Sequence, residues 1–176
     1  MICASVFMIV FRILHILAGA IWFGALAVLV FFIQPSGASL GPTAGPFVQE
    51  LLARRRLPSF VLSMGALTVV AGLFLYWKDW HDYGSFSAWI GSDFGLVITI
   101  GAVAAVAALA IGGSVVKPTL ARALALGAEL AAEAGPPPED RATELRRLQM
   151  RVRTFTRIVL ALLTVAILTM STARYW

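Results

Sequence analysis

The chain has 176 residues, of which 60% are hydrophobic and only 13% charged, against roughly 45–50% and about 25% in a soluble domain. Its mean hydropathy is +0.87, and a soluble fold of this length leaves too much surface in water to hide that much apolar area. Water-soluble globular, disordered and disulfide-scaffold classes are thereby excluded, which leaves an integral membrane protein. The net charge of +5 would indicate a nucleic-acid partner only if it were spread over a soluble surface. It is confined instead to connections between apolar stretches. The single cysteine, Cys3, allows neither an intrachain disulfide nor a Cys-based metal knuckle.

A bilayer core of about 30 Å takes roughly 20 apolar residues in a helix. Four stretches qualify, at about 13–33, 57–77, 94–116 and 155–173. None holds Asp, Glu or Lys, and Arg157 lies one turn inside the last, where its side chain can snorkel. The apolar lead 1–11 either lies in the interface or extends the first helix. The first span is too long for a signal-peptide core and lacks a basic region before that lead, so it is expected to be retained.

Eleven of the fourteen Lys and Arg residues fall in or at the edge of the connections between spans one and two and between spans three and four. Short basic loops stay in the cytoplasm, which predicts an N-out, C-out bundle with 78–93 outside. All three Tyr (76, 83, 175) and four of five Trp (77, 80, 89, 176) fall on the predicted outer side, where amphipathic rings settle at headgroup level. Small residues let helices approach in lipid. Gly101, Ala104, Ala105, Ala108 and Gly112 therefore predict a tight bundle with span three central, joined by Ala20 and Gly24 of span one and Gly65 and Gly72 of span two.

The first inner connection opens Gln34-Pro-Ser-Gly and predicts a loop, followed by a short interfacial helix over 47–56. In the second, an Ala- and Leu-rich helix from Thr119 to Ala134 is broken by Gly135-Pro-Pro-Pro138. Leu145, Leu148, Val152 and Phe155 then recur at helical spacing into span four. Residues 118–153 are thus expected to form a cytoplasmic helical hairpin with its tip at the prolines. Its five acidic and several basic residues predict charge pairing between the arms.

Metalloprotease, nucleophile-elbow, P-loop and dinucleotide motifs are all missing. No carboxylate lies within a span, and no half-to-half repeat is visible, which counts against a proton-coupled carrier. No catalytic residue is assigned. Two histidines remain, both on the predicted outer side: His15 in span one and His81 four residues past span two. Neutral imidazole binds haem iron, copper or zinc. Arg12 is three residues before His15 on the same helical face, where it can meet a haem propionate or a lipid phosphate. Asp79 and Asp82 flank His81 and can orient its ring. Met170, Cys3 and Met8 are sulfur donors at the same level, suited to Cu(I). The competing reading of each is structural: a core histidine bonded to a neighbouring helix, a solvated loop histidine, methionines that merely pack.

The run Leu14-His-Ile-Leu-Ala-Gly-Ala-Ile-Trp-Phe-Gly24 resembles the opening of the copper-resistance protein D family. The four-helix protoporphyrinogen oxidase family of the haem pathway opens similarly. The resemblance covers eleven residues and implies His15 as a ligand, with Trp22 and Gly24 as packing partners. Spans two to four hold no His, and the further His or Lys implied by an oxidase is missing. The Gly112–Thr119 run, the proline hairpin and the ending Met170–Trp176 are similar to a group of bacterial four-helix membrane proteins. That similarity implies the fold and a multi-pass place in the bacterial cytoplasmic (inner) membrane.

Three functions follow as expectations. The first is haem b or copper bound at the outer side through His15, with Arg12, His81 and Met170 as further site residues. The second is a non-catalytic accessory subunit of a larger membrane complex, its partners being other membrane subunits or copies of itself. The third is a porphyrin- or quinone-linked membrane oxidoreductase.

Overall fold

The structure, a computed structural model, describes residues 2–133 and 136–176, with side chains described from position 6 onward except at 42. The described residues form helices and turns and no strand. Four continuous helical stretches are long and apolar enough to cross a membrane: Val6–Leu40, Leu57–Asp82, Asp93–Ala132 and Glu139–Tyr175. Each contains one of the four expected spans and is called a crossing here for its length and apolar composition alone. The first consists of α1 (Ile2–Val28), a π-helical turn (Leu29–Ile33) and α2 (Gln34–Leu40). After α3 (Gly45–Gln49), α4 (Leu57–Asp82) makes the second crossing and α5 (Phe86–Ile90) is a short cap. The third comprises α6 (Asp93–Ile111), another π-helical turn (Gly112–Val116) and α7 (Lys117–Ala132); α8 (Glu139–Thr172) makes the fourth.

The helix through Gln34–Leu40 corrects the expected loop. Pro35 has no N–H, and its ring crowds the carbonyl four residues back. The π-helical turn before it widens the helix, with the Gln34 N–H bonded to Leu29 O, five residues back. The same device precedes Pro118, where the Lys117 N–H bonds to Gly112 O. The first helix ends only at Gly41, whose φ of +58° suits a residue without Cβ.

The crossings form an up-down-up-down ring. α1 packs chiefly on α4, and α6 chiefly on α8, while the two pairs touch each other more sparingly. The diagonal pairs barely meet among the described residues, so α6 holds a corner and not the expected central place. One end of the bundle gathers the starts of α1 and α6 and the ends of α4 and α8. It carries the Tyr and Trp cluster and is called the aromatic end; the opposite, basic end carries eleven Lys and Arg residues.

Along the α1–α4 seam the sequence dictates an antiparallel register. His15, Gly19, Trp22 and Leu26 step by four, three and four, and Gly72, Thr68, Gly65 and Val61 step back by the same intervals. A methyl built on Gly65 would stand 2.7 Å from Trp22 Cε2, and one on Gly72 2.8 Å from both Cε1 and Nδ1 of His15. One on Gly19 would lie 3.4 Å from Thr68 Cγ2. Leu26 and Val61 close the seam within one buried cluster. Each ring thus lies against bare backbone, the close approach by which helices gain dispersion energy in an apolar medium. α6 repeats the device on α8: a methyl on Gly101 would come within 2.6 Å of Thr169 Oγ1 and 2.9 Å of Met170 Cγ. Gly24, expected to pack, has nothing within 4 Å of where its Cβ would be.

At the basic end, α7 and the first half of α8 pair as the expected hairpin. Arg141 of α8 clamps Glu129 of α7 and Glu133 just beyond its end. Ala134, the expected end of the first arm, and Gly135, where the break is expected to start, lie outside the described residues. At the aromatic end, Ser85 caps α5 by accepting from Ala88 N at 3.2 Å, and Trp89 is fully buried. Its ring is enclosed edge-on by Tyr76, Tyr83 and Phe94, with centroids 5.6, 5.0 and 5.6 Å away. Trp89 is therefore a packing residue that holds α5 over the bundle, and not a headgroup anchor.

The seam predicts opposite outcomes at two glycines. Gly65→Leu drives a side chain into the Trp22 indole and should destabilise the protein in detergent by about 1–3 kcal/mol, whereas Gly24→Ala should leave its thermal midpoint unchanged. Scanning fluorimetry of both variants checks this.

Candidate functional site

Because the α1–α4 and α6–α8 pairs are tight and their mutual contacts sparse, space is left between them. Near the aromatic end a cavity of about 570 Å³ opens there, within the roughly 300–1,000 Å³ usual for small-molecule sites. All four crossings contribute walls, and most of the lining is apolar, including Trp22, Phe23, Val69, Ala105 and Leu163. Ile16 of α1, Leu73 of α4, Val106 of α6 and Ile167 of α8 line it and are themselves exposed. Each of the four helices thus contributes an exposed apolar side chain to its wall.

His15 is its principal polar group. The His15 Nδ1–H donates to the backbone carbonyl of Thr68 at 2.8 Å. A carbonyl can only accept, so this bond fixes the proton on Nδ1 and leaves the Nε2 lone pair of the neutral ring free. The bond depends on Gly72, whose missing side chain makes room for the ring. The Thr68 hydroxyl is occupied locally, donating to Met64 O at 2.8 Å.

Arg12 and Asp79 line the same cavity, from α1 and α4. Neither forms an ion pair among the described residues, so the guanidinium is available to a ligand carboxylate or phosphate while Asp79 balances part of its charge. Tyr76 also lines the cavity, but its hydroxyl donates to Thr99 Oγ1 at 2.9 Å, and Thr99 donates onward to Gly95 O at 2.6 Å. Met170 lines the wall and packs against Gly101.

Of the residues expected to act together, the structure brings His15, Arg12 and Met170 to one cavity and leaves His81 out of it. His81 is exposed and ends an aromatic ladder. Phe11 stacks on Phe74 at 4.1 Å, Phe74 meets Trp77 at 6.0 Å, and Trp77 stacks on His81 at 5.8 Å. Of its flanking carboxylates, Asp82 is paired with Lys78 and Asp79 lines the cavity. The Cys3 side chain lies outside the described residues, and Met8 does not line the cavity. Among the described residues no group of three or more His, Cys, Asp or Glu could hold a metal ion.

Sequence reasoning missed Thr68 and the part Gly72 plays. The signal was present as a matched interval: His15 and Trp22 are seven apart, as are Gly65 and Gly72, so in antiparallel helices each ring meets a glycine. No protein-family model matches the chain, and comparison with curated proteins and with solved structures returns no match.

The site predicts a tautomer. In ¹⁵N-histidine NMR at neutral pH, His15 should show the Nδ1–H form. Gly72→Ala should abolish that signature by pushing the ring off Thr68 O, while the His81 signals stay unchanged.

Proposed function

We propose that the chain is a multi-pass protein of the bacterial cytoplasmic membrane that binds haem b in the cavity between its two helix pairs, where His15 Nε2 would hold the iron. The supporting observation is the His15–Thr68 bond, which fixes the tautomer needed for a nitrogen ligand and directs the remaining lone pair away from the helix backbone. Metal-bound histidines are commonly oriented in this way, by a backbone carbonyl on the other nitrogen. The cavity's size and apolar walls suit a large flat ligand, and Arg12 suits an acidic edge on it. The bias of basic residues supports a cytoplasmic basic end, with the His15 cavity toward the outer leaflet.

Copper is a poorer fit. A copper site gathers several nitrogen or sulfur donors, and this cavity offers one histidine and one methionine, the latter engaged in packing on Gly101. The accessory-subunit reading loses one of its contact surfaces, since the small-residue face of α6 around Gly101 is covered by α8, and keeps the aromatic rim and the hairpin.

Bound here, haem would supply one-electron chemistry or ligand exchange at iron. The protein's own contributions are distinct from that chemistry. Thr68 O holds the imidazole proton, Gly72 keeps the ring upright, Arg12 orients an anionic substituent, and the apolar walls exclude water.

The protein purified in mild detergent should show a Soret band that shifts on reduction, with iron near one equivalent. His15→Ala should lose the band while keeping its helical circular dichroism, and His81→Ala should retain it. Full occupancy in His15→Ala would overturn the assignment, and stoichiometric copper without a Soret band would replace haem with the metal alone.

A further inference from the structure

A second cavity, of about 550 Å³, lies at the basic end, beneath the helical segments that follow the first and third crossings. Its inner part is apolar, walled by residues such as Leu26 and Val159 from the ends of the crossings. Lys117, Arg146 and Arg153 also line it, and no Asp or Glu does. None of these three cations is in an ion pair among the described residues, whose ion pairs use Arg54, Arg55, Lys78 and Arg141. The side-chain bond Arg146 makes is a long one, to Ala142 O at 3.4 Å. Three exposed like charges thus border one apolar cavity that no carboxylate lines.

One polar side chain beside the cavity is left unsatisfied. Gln34, which lines the cavity, has its Oε1 buried with no hydrogen-bond partner among the described residues. A buried amide oxygen without a donor costs about 1–3 kcal/mol. In this conformation the oxygen is closed to the cavity, so a hydroxyl there would satisfy it only after the side chain turns toward the opening.

We propose that this cavity holds one anionic phospholipid from the leaflet at the basic end. Its phosphate sits among Lys117, Arg146 and Arg153, and an acyl chain runs along the apolar inner wall. A soluble phosphate ester would use only the cationic part and leave the apolar part wet, whereas a zwitterionic lipid brings its own cation to a site that already has three. Gln34, Lys117 and Arg153 all stand at the ends of apolar stretches, the level at which headgroups lie. The proposal rests on the four crossings spanning a membrane and is independent of what binds at His15.

The test uses the full chain, delipidated in mild detergent and titrated under native mass spectrometry. The probes are phosphatidylglycerol, phosphatidylcholine with the same chains, and glycerol phosphate. One phosphatidylglycerol adduct should form with a preference of at least about tenfold over phosphatidylcholine, given roughly 1 kcal/mol per basic residue near an anionic headgroup. Glycerol phosphate should leave no stable adduct. Replacing all three cations, as Lys117→Gln, Arg146→Gln and Arg153→Gln, should erase the preference. Arg122→Gln with Arg147→Gln, which removes the same kind of charge outside the cavity, should preserve it. Equal binding of the two lipids by the unaltered protein would overturn the proposal, as would equal retention of glycerol phosphate or loss of preference in the outside double variant. These arms decide even if the triple variant misfolds. Visible absorbance of the same samples reports on His15 separately, so either reading can fail alone.

Discussion

The closeness of α1 and α4 sets the geometry of everything near the aromatic end. Two aromatic side chains of α1, the His15 imidazole and the Trp22 indole, rest on glycine backbone at Gly72 and Gly65, positions where a methyl would stand under 3 Å away. In a surrounding as apolar as the side chains themselves, helices gain little by hiding apolar area and must gain by contact. Flat rings against bare helix backbone maximise that contact. The same approach brings His15 within hydrogen-bonding range of the Thr68 carbonyl at 2.8 Å, so a packing solution becomes a chemical one. If the seam were wider, the ring would lose both its support and its tautomer.

A second consequence follows from how the pairs are made. Each pair is zipped by its own small residues, Gly65 and Gly72 in one and Gly101 with Ala105 and Ala108 in the other. Less complementary surface is then left between pairs, and the bundle keeps one cavity toward each end. Trp22 borders both and is itself buried, at 3% exposure. The two ends differ in chemistry because the sequence segregates charge. The basic residues collect where the chain extends beyond the crossings at one end, while the cavity at the other end offers one imidazole, one guanidinium and one carboxylate in an apolar setting.

The four crossings were legible because about 20 uninterrupted apolar residues admit few alternatives, and the hairpin because Pro136–Pro138 separate two helix-forming runs. Gln34–Leu40 was misread. Proline and glycine there signal a loop by local rules, yet a π-helical turn at Leu29–Ile33 absorbs Pro35 and lets the helix continue to Gly41. Trp89 was misread for a related reason: composition places a tryptophan at the rim, but whether it faces outward depends on the fold of α5 over Gly95, which no periodicity reports. At the site, His15, Arg12 and Met170 were readable from type and level. Thr68 was not, since its contribution is a backbone carbonyl that every residue possesses. His81 lies toward the same end of the bundle as His15 but not in its cavity, because it stands nine residues beyond Gly72, the residue His15 faces, about 13 Å further along α4 at 1.5 Å per residue.

Anomalous diffraction at the iron edge, from crystals of the protein as isolated, would test the role of His15 most directly. An iron peak within bonding distance of His15 Nε2, with Nδ1 still on the Thr68 carbonyl, is the expected result. A cavity without an iron peak, filled by lipid or side chains, with the imidazole turned to bond elsewhere through Nε2, would contradict it.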